Sequence, residues 1–341
     1  MRRSQGPTID DLGETEALRR IQRLIPSPSK KVVVGIGDDA AVCRRPEAEF
    51  LVATTDPIRA GVHFPETHIP WRELGYKAVL VNASDIVAMG GKPAWFLVSL
   101  GLPGKIEWKE VRALYQGFQE GLEVCGAEFL GGDLDQTEQA QIEATLLGSV
   151  PQKGILRLDG AAPDEWIYVT GTLGDSRAGL EILLRSPDAK SRVSKEEKSL
   201  VNRHLRPPYL FDAMREIRRR FRPTALTDIS DGLARDARRL CEASGVGCRI
   251  DLENIPISSQ CFFFCERNGE DPRLFAASGG EDYQLLFTSK IDPEKAPIEA
   301  AGIPVTAVGR TTKPPRRVSF RLCGQTVKGI EGYEHFRAGS D

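Results

Sequence analysis

Four apolar runs in this chain lead directly into aspartate, with glycine or threonine at the junction, and this pattern favours a fold that gathers several strand ends at one crevice. Val32-Val33-Val34-Gly35-Ile36-Gly37 leads into Asp38-Asp39, and Leu51-Val52-Ala53-Thr54-Thr55 into Asp56. Phe129-Leu130-Gly131-Gly132 leads into Asp133, and Ala225-Leu226-Thr227 into Asp228, with Ser230-Asp231 just beyond. A further acid, Asp85, lies inside a helical pattern. Sheets flanked by helices present their strand ends to a shared cleft, so carboxylates remote in sequence can meet there. Singly, an aspartate after a strand is more often a turn or cap residue. The argument rests on the repetition.

Hydrophobic periodicity predicts, in the first half, strands over residues 31–36, 50–54, 94–100, 128–130 and 142–150, with helices over 9–25, 71–89 and 107–125. Glycine and proline punctuate residues 151–163 before a new strand at 165–170, which sets a boundary between domains 1–150 and 151–341. The second half predicts helices over 175–184, 209–221 and 232–243 and strands over 225–227, 248–252, 283–288, 305–308 and 318–322. Residues 186–198 read as an exposed loop running into a solvated helix, and the basic cluster from Arg215 to Arg222 as a solvated face. Both halves mix strands and helices, so the fold class is α+β, in two domains.

Lys and Arg total 46 against 48 Asp and Glu, a formal charge of −2, which supplies no global field for nucleic acid or an anionic membrane and points to small ligands. Met1-Arg2-Arg3 is followed by polar residues where an export signal needs an apolar core, and the apolar stretch at 78–89 is broken by Asn82, Ser84 and Asp85. A cytoplasmic location is expected. The seven cysteines include no CxxC pair and the four histidines no HExxH, so buried reduced thiols are expected rather than disulfides or a soft-metal site.

Carboxylates brought together need a cation, and an all-oxygen set, with Thr54, Thr55 and Ser230 as neutral donors, selects Mg²⁺. Glycines beside them allow close backbone approach to a polyphosphate. Neither GxxxxGK[ST] nor GxGxxG occurs, so a nucleotide would be held through metal and backbone.

The residues also resemble a known family. Gly35-Ile36-Gly37-Asp38-Asp39-Ala40-Ala41-Val42, Thr54-Thr55-Asp56-Pro57 and Gly61-Val62-His63-Phe64 are similar to the opening motifs of bacterial thiamine-monophosphate kinases. Gly75-Tyr76-Lys77-Ala78, Val81-Asn82-Ala83-Ser84-Asp85-Ile86, Gly131-Gly132-Asp133, Trp166-Ile167-Tyr168-Val169-Thr170-Gly171 and His204-Leu205-Arg206-Pro207 follow in order. Asp228-Ile229-Ser230-Asp231-Gly232-Leu233, Ser278-Gly279-Gly280-Glu281-Asp282-Tyr283 and Gly332-Tyr333-Glu334-His335-Phe336 complete the set.

The resemblance implies the aminoimidazole-ribonucleotide-synthetase-like fold, with an N-terminal sheet pairing across a homodimer and a C-terminal α/β domain. It implies in-line transfer from ATP to thiamine monophosphate with several Mg²⁺ ions and no covalent nucleophile or general base. By resemblance, Asp39, Thr54, Thr55, Asp56, Asp85, Asp133 and Asp228 are metal ligands, with Asp231 a further candidate. Asp39, Tyr115, Gly132, Asp133, Arg157 and Ser230 fall at ATP, and His63, Glu281 and Tyr333 at the substrate. Leu134-Asp135-Gln136 stands where the family continues Thr-Thr-Arg or similar, Pro163-Asp164-Glu165 where it has Pro-Gly-Asp, and Leu158 where an arginine reaches ATP, with Arg157 adjacent. A divergent relative acting on another phosphorylated metabolite, or a catalytically silent Mg-nucleotide binding protein, are the alternatives.

Overall fold

The computed structural model describes residue 16 and residues 31–34, 38–45, 49–65, 70–185, 194–296, 298–314 and 317–333. The helix expected over 9–25 lies outside the described residues apart from Glu16.

The first half comprises β1 (Val32–Val34), β2 (Ala41–Arg44), β3 (Glu49–Arg59), α1 (Trp71–Ala88), β4 (Lys92–Leu102), α2 (Trp108–Cys125), β5 (Glu128–Gln136) and β6 (Gln141–Pro151). Its strands form one sheet in the order β1-β2-β3-β6-β4-β5. β3 and β6 pair antiparallel along their whole length, from Glu49 opposite Pro151 to Arg59 opposite Gln141. Along β6, Ile142, Ala144, Leu146 and Val150 are buried, a period of two with one face turned to the core. Helix α1 packs on β3, β6 and β4, and α2 packs on α1. A side chain at Gly75 or Gly117 would run into the facing helix, since a Cβ at Gly117 would lie 1.9 Å from the Arg72 carbonyl oxygen.

The second half comprises β7 (Trp166–Thr170), α3 (Asp175–Arg185), α4 (Lys195–Leu205), α5 (Phe211–Arg220), β8 (Ala225–Asp228), α6 (Leu233–Ser244), β9 (Gly247–Asp251), α7 (Ser259–Asn268), α8 (Pro272–Ser278), β10 (Leu285–Ser289), β11 (Glu299–Ala300), β12 (Ile303–Thr312), β13 (Val318–Leu322) and β14 (Gln325–Val327). The sheet runs β14-β13-β9-β12-β7-β10-β8, with β11 added to β12. Strand alternation divides its core. Ile167, Val169 and Leu286 pack with Leu233, Ala237 and Leu240 of α6, whereas Tyr168, Leu285 and Phe287 pack with Ala213, Met214 and Ile217 of α5. Val87 and Ala88, at the end of α1, join the second cluster, so α1 belongs to the packing of both halves.

Several expectations need correction. β3 does not stop at residue 54 and β5 does not stop at 130, so Asp56 and Asp133 lie inside strands rather than after them. β6 gives β3 a full-length partner, and β5 regains its pairing with β4 after a bulge at Leu130, where Phe96 opposes Phe129 and Leu97 opposes Gly131. Strands β2, β11 and β14 and helices α7 and α8 were not anticipated. Helix α4, started by a Ser194 and Glu197 capping box, is not merely solvated, because it buries Leu200, His204 and Leu205. Residues 186–193 of the expected loop lie outside the described residues. All seven cysteines are free, but Cys43 is half-buried and Cys323 exposed, against the expected burial. Among the described residues, no helix is long and apolar enough to cross a membrane.

Glycine in a helix ordinarily costs about 1 kcal/mol relative to alanine, so Gly117→Ala would stabilise an isolated α2. Here the added methyl meets backbone, and the net effect expected is a loss of about 1–3 kcal/mol, measurable as a lower urea midpoint with an unchanged slope.

Candidate active site

A cavity of about 1130 Å³ opens between the halves and is lined by Asp39, Thr54, Thr55, Asp56, His63 and Asp85 from the first and Ser230, Asp231, Glu281 and Tyr333 from the second. Past Ala53, β3 no longer pairs with β2, and that freed edge turns to α1. The Asp56 backbone N–H donates to Asn82 Oδ1 at 3.1 Å, and Thr54 Oγ1 donates to Asp85 Oδ2 at 2.6 Å. From the other half, the last residue of β8, Asp228, accepts from Ser84 Oγ of α1 at 2.5 Å. Asp39 Oδ1 accepts from Thr227 Oγ1 at 2.9 Å and from Arg239 Nη2 at 2.6 Å. Thr55 is turned to the sheet, donating to the Ala144 carbonyl at 2.9 Å.

The electrostatic consequence is crowding of like charges. Burial, then the neighbouring Asp39, pushes the Asp228 carboxyl up to about 8, and the same two causes push Asp38 up to about 6. Burial raises Asp56, although its hydrogen bond with Asp85 works against this; burial and then Asp56 hold Asp85 well above the usual carboxylate range. Arg239, on α6, is the cation set among them, 2.6 Å from Asp39 and 3.6 Å from Asp236.

Among the described residues, no three His, Cys, Asp or Glu side chains stand ready as a metal cage. The donor set nonetheless fits a hard divalent ion: it is all oxygen, over-charged for its burial, and Asp39 Oδ2 is buried without a hydrogen-bond partner.

Other expected site residues stand apart from this cleft. Asp56, Ala144, Val98 and Gly132 lie in one row across β3, β6, β4 and β5, so Gly132 sits three strand spacings from Asp56, roughly 14 Å. Asp133 is next to it, exposed on the edge strand β5. Gly132 has a packing reason, since a Cβ would lie 1.7 Å from the Val98 carbonyl oxygen. Tyr115 packs against Phe118 and Phe129 beside the same edge. Arg157 pairs with Asp159 at 2.6 Å, while the backbone N–H of buried Leu158 donates to Asp38 Oδ2 at 3.3 Å.

Sequence reasoning overlooked Arg239 and the buried pair Lys77 and His204 as site residues. Arg235 and Arg239 follow Asp231 at helical spacings of four and eight, with Arg235 Nε 3.6 Å from Asp231 Oδ2, so a charge-pattern reading of α6 would have found them. Lys77 and His204 each lay inside a motif of the family resemblance, Gly75-Tyr76-Lys77-Ala78 and His204-Leu205-Arg206-Pro207, but nothing local joined the two.

Residues 37–150 match the family described as AIR synthase related protein, N-terminal domain, and residues 162–320 its C-terminal domain. Thiamine-monophosphate kinase of Aquifex aeolicus is 39% identical over 280 residues, covering 82% of this chain and 87% of that one. The Escherichia coli K12 protein of the same name is 36% identical over 338 residues, covering 95% and 98%. The chain belongs to the thiamine-monophosphate kinase family. A solved structure described as AaThiL complexed with AMPPCP and TMP superposes with a TM-score of 0.83 at 35% identity, covering 97% of this chain and all of that one. The expected two-domain α+β, aminoimidazole-ribonucleotide-synthetase-like architecture holds.

For a kinase of this family the acid cluster predicts a pH signature. Carboxyls whose folded pKa lies above the unfolded value of 3.8 stabilise the fold at low pH and lose that contribution as pH rises through about 6 for Asp38 and about 8 for Asp228. The melting temperature of metal-free protein should therefore fall between about pH 4 and 8 and level off above that, and saturating Mg²⁺ should flatten the decline. A metal-free profile level across this range would contradict the electrostatic reading.

Proposed function

We propose that this chain transfers the γ-phosphoryl group of ATP onto thiamine monophosphate, giving ADP and thiamine diphosphate, by direct in-line displacement. The observation that carries the reading is the cleft itself: Asp39, Asp56 and Asp85 line a cavity that Glu281, Tyr333 and His63 also line, and Asp228 from the second half accepts from Ser84, one residue before Asp85. The attacking phosphate oxygen is already anionic, so no general base is required. The difficulty is the approach of two polyanions, and bound Mg²⁺ would supply the neutralising charge. Asp39, Asp56, Asp85 and Asp228 would hold it, with Asp231, Thr54 and Thr55 as further ligands, while Asp133, on the distant β5 edge, would serve a separate ion.

The remaining lining residues suit the acceptor. His63 Nδ1 accepts from the Arg59 backbone N–H at 3.2 Å, which leaves its proton on Nε2, where it can donate to a phosphate. Glu281 offsets a thiazolium charge and Tyr333 offers a ring face to it. Ser230 adds a hydroxyl toward ATP.

We place the other ATP contacts, Tyr115, Gly132 and Asp133, at the β5 edge, with Arg157 contributing once its charge is released from Asp159. Among the described residues β5 has a neighbour on one side only, and Leu130 and Leu134 are 55% and 66% exposed along it. Such an edge is ordinarily covered, and a second copy of the chain would cover it. On this reading residues 1–150 bind metal and ATP and dimerise, residues 151–341 complete the site, and the enzyme works in the cytoplasm without nucleic-acid or membrane partners.

A coupled ADP-release assay should show turnover that requires both thiamine monophosphate and Mg²⁺. Asp56→Asn and Asp133→Asn should each lower kcat by about 10²-fold or more. ADP release indifferent to thiamine monophosphate would favour another acceptor or a silent nucleotide-binding module, and full activity in Asp133→Asn would remove that residue from the site. In sedimentation velocity the chain should run as a dimer and Leu134→Lys as a monomer; a wild-type monomer would rule out the pairing.

A further inference from the structure

Lys77 has no place in the chemistry above, yet it is fully buried in α1 with its ammonium at the back of the cleft wall. Its Nζ lies 2.8 Å from Glu281 Oε1 and 3.1 Å from His204 Nε2. His204, also fully buried, has Nδ1 3.1 Å from Ser176 Oγ and 3.6 Å from Glu281 Oε2. Glu281 itself is in the left-handed backbone region, with φ of 61°, and its N–H donates to the Ser230 carbonyl at 2.7 Å. A non-glycine residue held there stores strain that its surroundings must stabilise.

This cluster is a poor device for stability alone. A buried ion pair is often matched or exceeded by apolar side chains of the same shape, while losing one partner strands the other charge. Its orientation suggests a different use. The lysine is completely enclosed, whereas the Glu281 side chain keeps 17% of its surface open and lines the cavity, so the pair turns its negative end toward the ligand. Burial alone would raise the Glu281 carboxyl, but Lys77, with His204 and His63, holds it down at about 2. Burial and then Lys77 depress His204 to about 4, leaving the imidazole neutral at physiological pH.

We infer that Lys77 is a positioning residue for acceptor recognition, fixing the Glu281 carboxylate in place and in its charged form so that the cleft selects a phosphorylated acceptor carrying a cationic heteroaromatic ring. This rests on the kinase reading above and adds to it that specificity for the ring's charge is set from α1 in the first half of the chain. Without Lys77 the carboxylate loses the ammonium 2.8 Å behind it that holds it at the cavity wall, so its charge is no longer aimed at a cationic ring.

The test compares thiamine monophosphate with an isostere whose thiazolium is replaced by a neutral thiophene ring. Wild type should prefer the cationic acceptor. Lys77→Met should raise the KM for thiamine monophosphate about 10- to 100-fold, the worth of a hydrogen bond to a charged group, with kcat and the KM for ATP within about twofold of wild type by the same reasoning. Its preference for the cationic ring should collapse, as in Glu281→Gln; a merely structural lysine would not move that ratio. Lys77→Met/Glu281→Gln leaves no unpaired buried charge and should match Glu281→Gln alone, because the two act as one unit. Wild-type KM and ring preference in Lys77→Met, or a further tenfold loss in the double variant, would overturn the inference while leaving the kinase reading intact. Absence of turnover in wild type would overturn both.

Discussion

The fold depends on a helix that has no solvent face. Of the residues in α1, only Arg72, Glu73 and Asp85 are not buried, and within it Lys77, Asn82, Ser84 and Asp85 must find polar partners inside the protein. Those partners set the domain arrangement. Lys77 and Ser84, seven residues and two turns apart, face the second half and meet Glu281 and Asp228. Asn82 and Asp85, three apart on another face, meet the Asp56 backbone and the Thr54 hydroxyl of β3. A helix satisfied on both sides ties the two sheets together and makes the cleft between them a consequence of its own burial.

The same burial explains the electrostatics. Carboxylates held against α1 cannot be solvated well, and their mutual proximity compounds the cost, so protonation or a cation must relieve it. In the chain alone, hydroxyls and Arg239 do so, and several carboxyls titrate far above their ordinary range. An arrangement this unfavourable in the bare chain would gain from a divalent ion. Glu281 has the opposite design: its carboxylate is backed by an internal lysine and remains charged. Two pools of negative charge in one cleft are thus kept in different protonation states by what lies behind them.

Much of this was legible in the sequence, in proportion to how local the cause was. Strands read from alternation and helices capped in sequence appeared close to where they lie, as in α2, whose capping box begins at Glu107. The acid set was legible because each member sits beside an apolar run with a recurring signature. Strand lengths were not, because β3 and β5 extend only as far as β6 and β4 pair with them. The full burial of α1 was hidden as well: a helix apolar on every side has no amphipathic period to announce which groups it faces. Lys77, His204 and Glu281 come together across 127 and 77 residues of sequence respectively, and only the tertiary fold joins them.

The departures from the family pattern are best understood by position. Leu158, where the resemblance leads one to expect an arginine, is 2% exposed in the core of the second half; its backbone N–H donates to Asp38 and its carbonyl accepts from Ser244 Oγ. Leu134 stands on the open side of β5, following a bulge that re-aims the strand around Gly131 and Gly132. Neither lines the cleft where Glu281, His63 and Tyr333 lie, and Leu134 marks the β5 edge instead. There the single chain presents Tyr115 and Asp133 along a sheet edge whose apolar side chains are uncovered. An apolar residue in place of a polar one at such an edge would favour cover by another chain, and on the proposed reading it would shift the burden of holding the nucleotide onto the carboxylates and the metal they would bind.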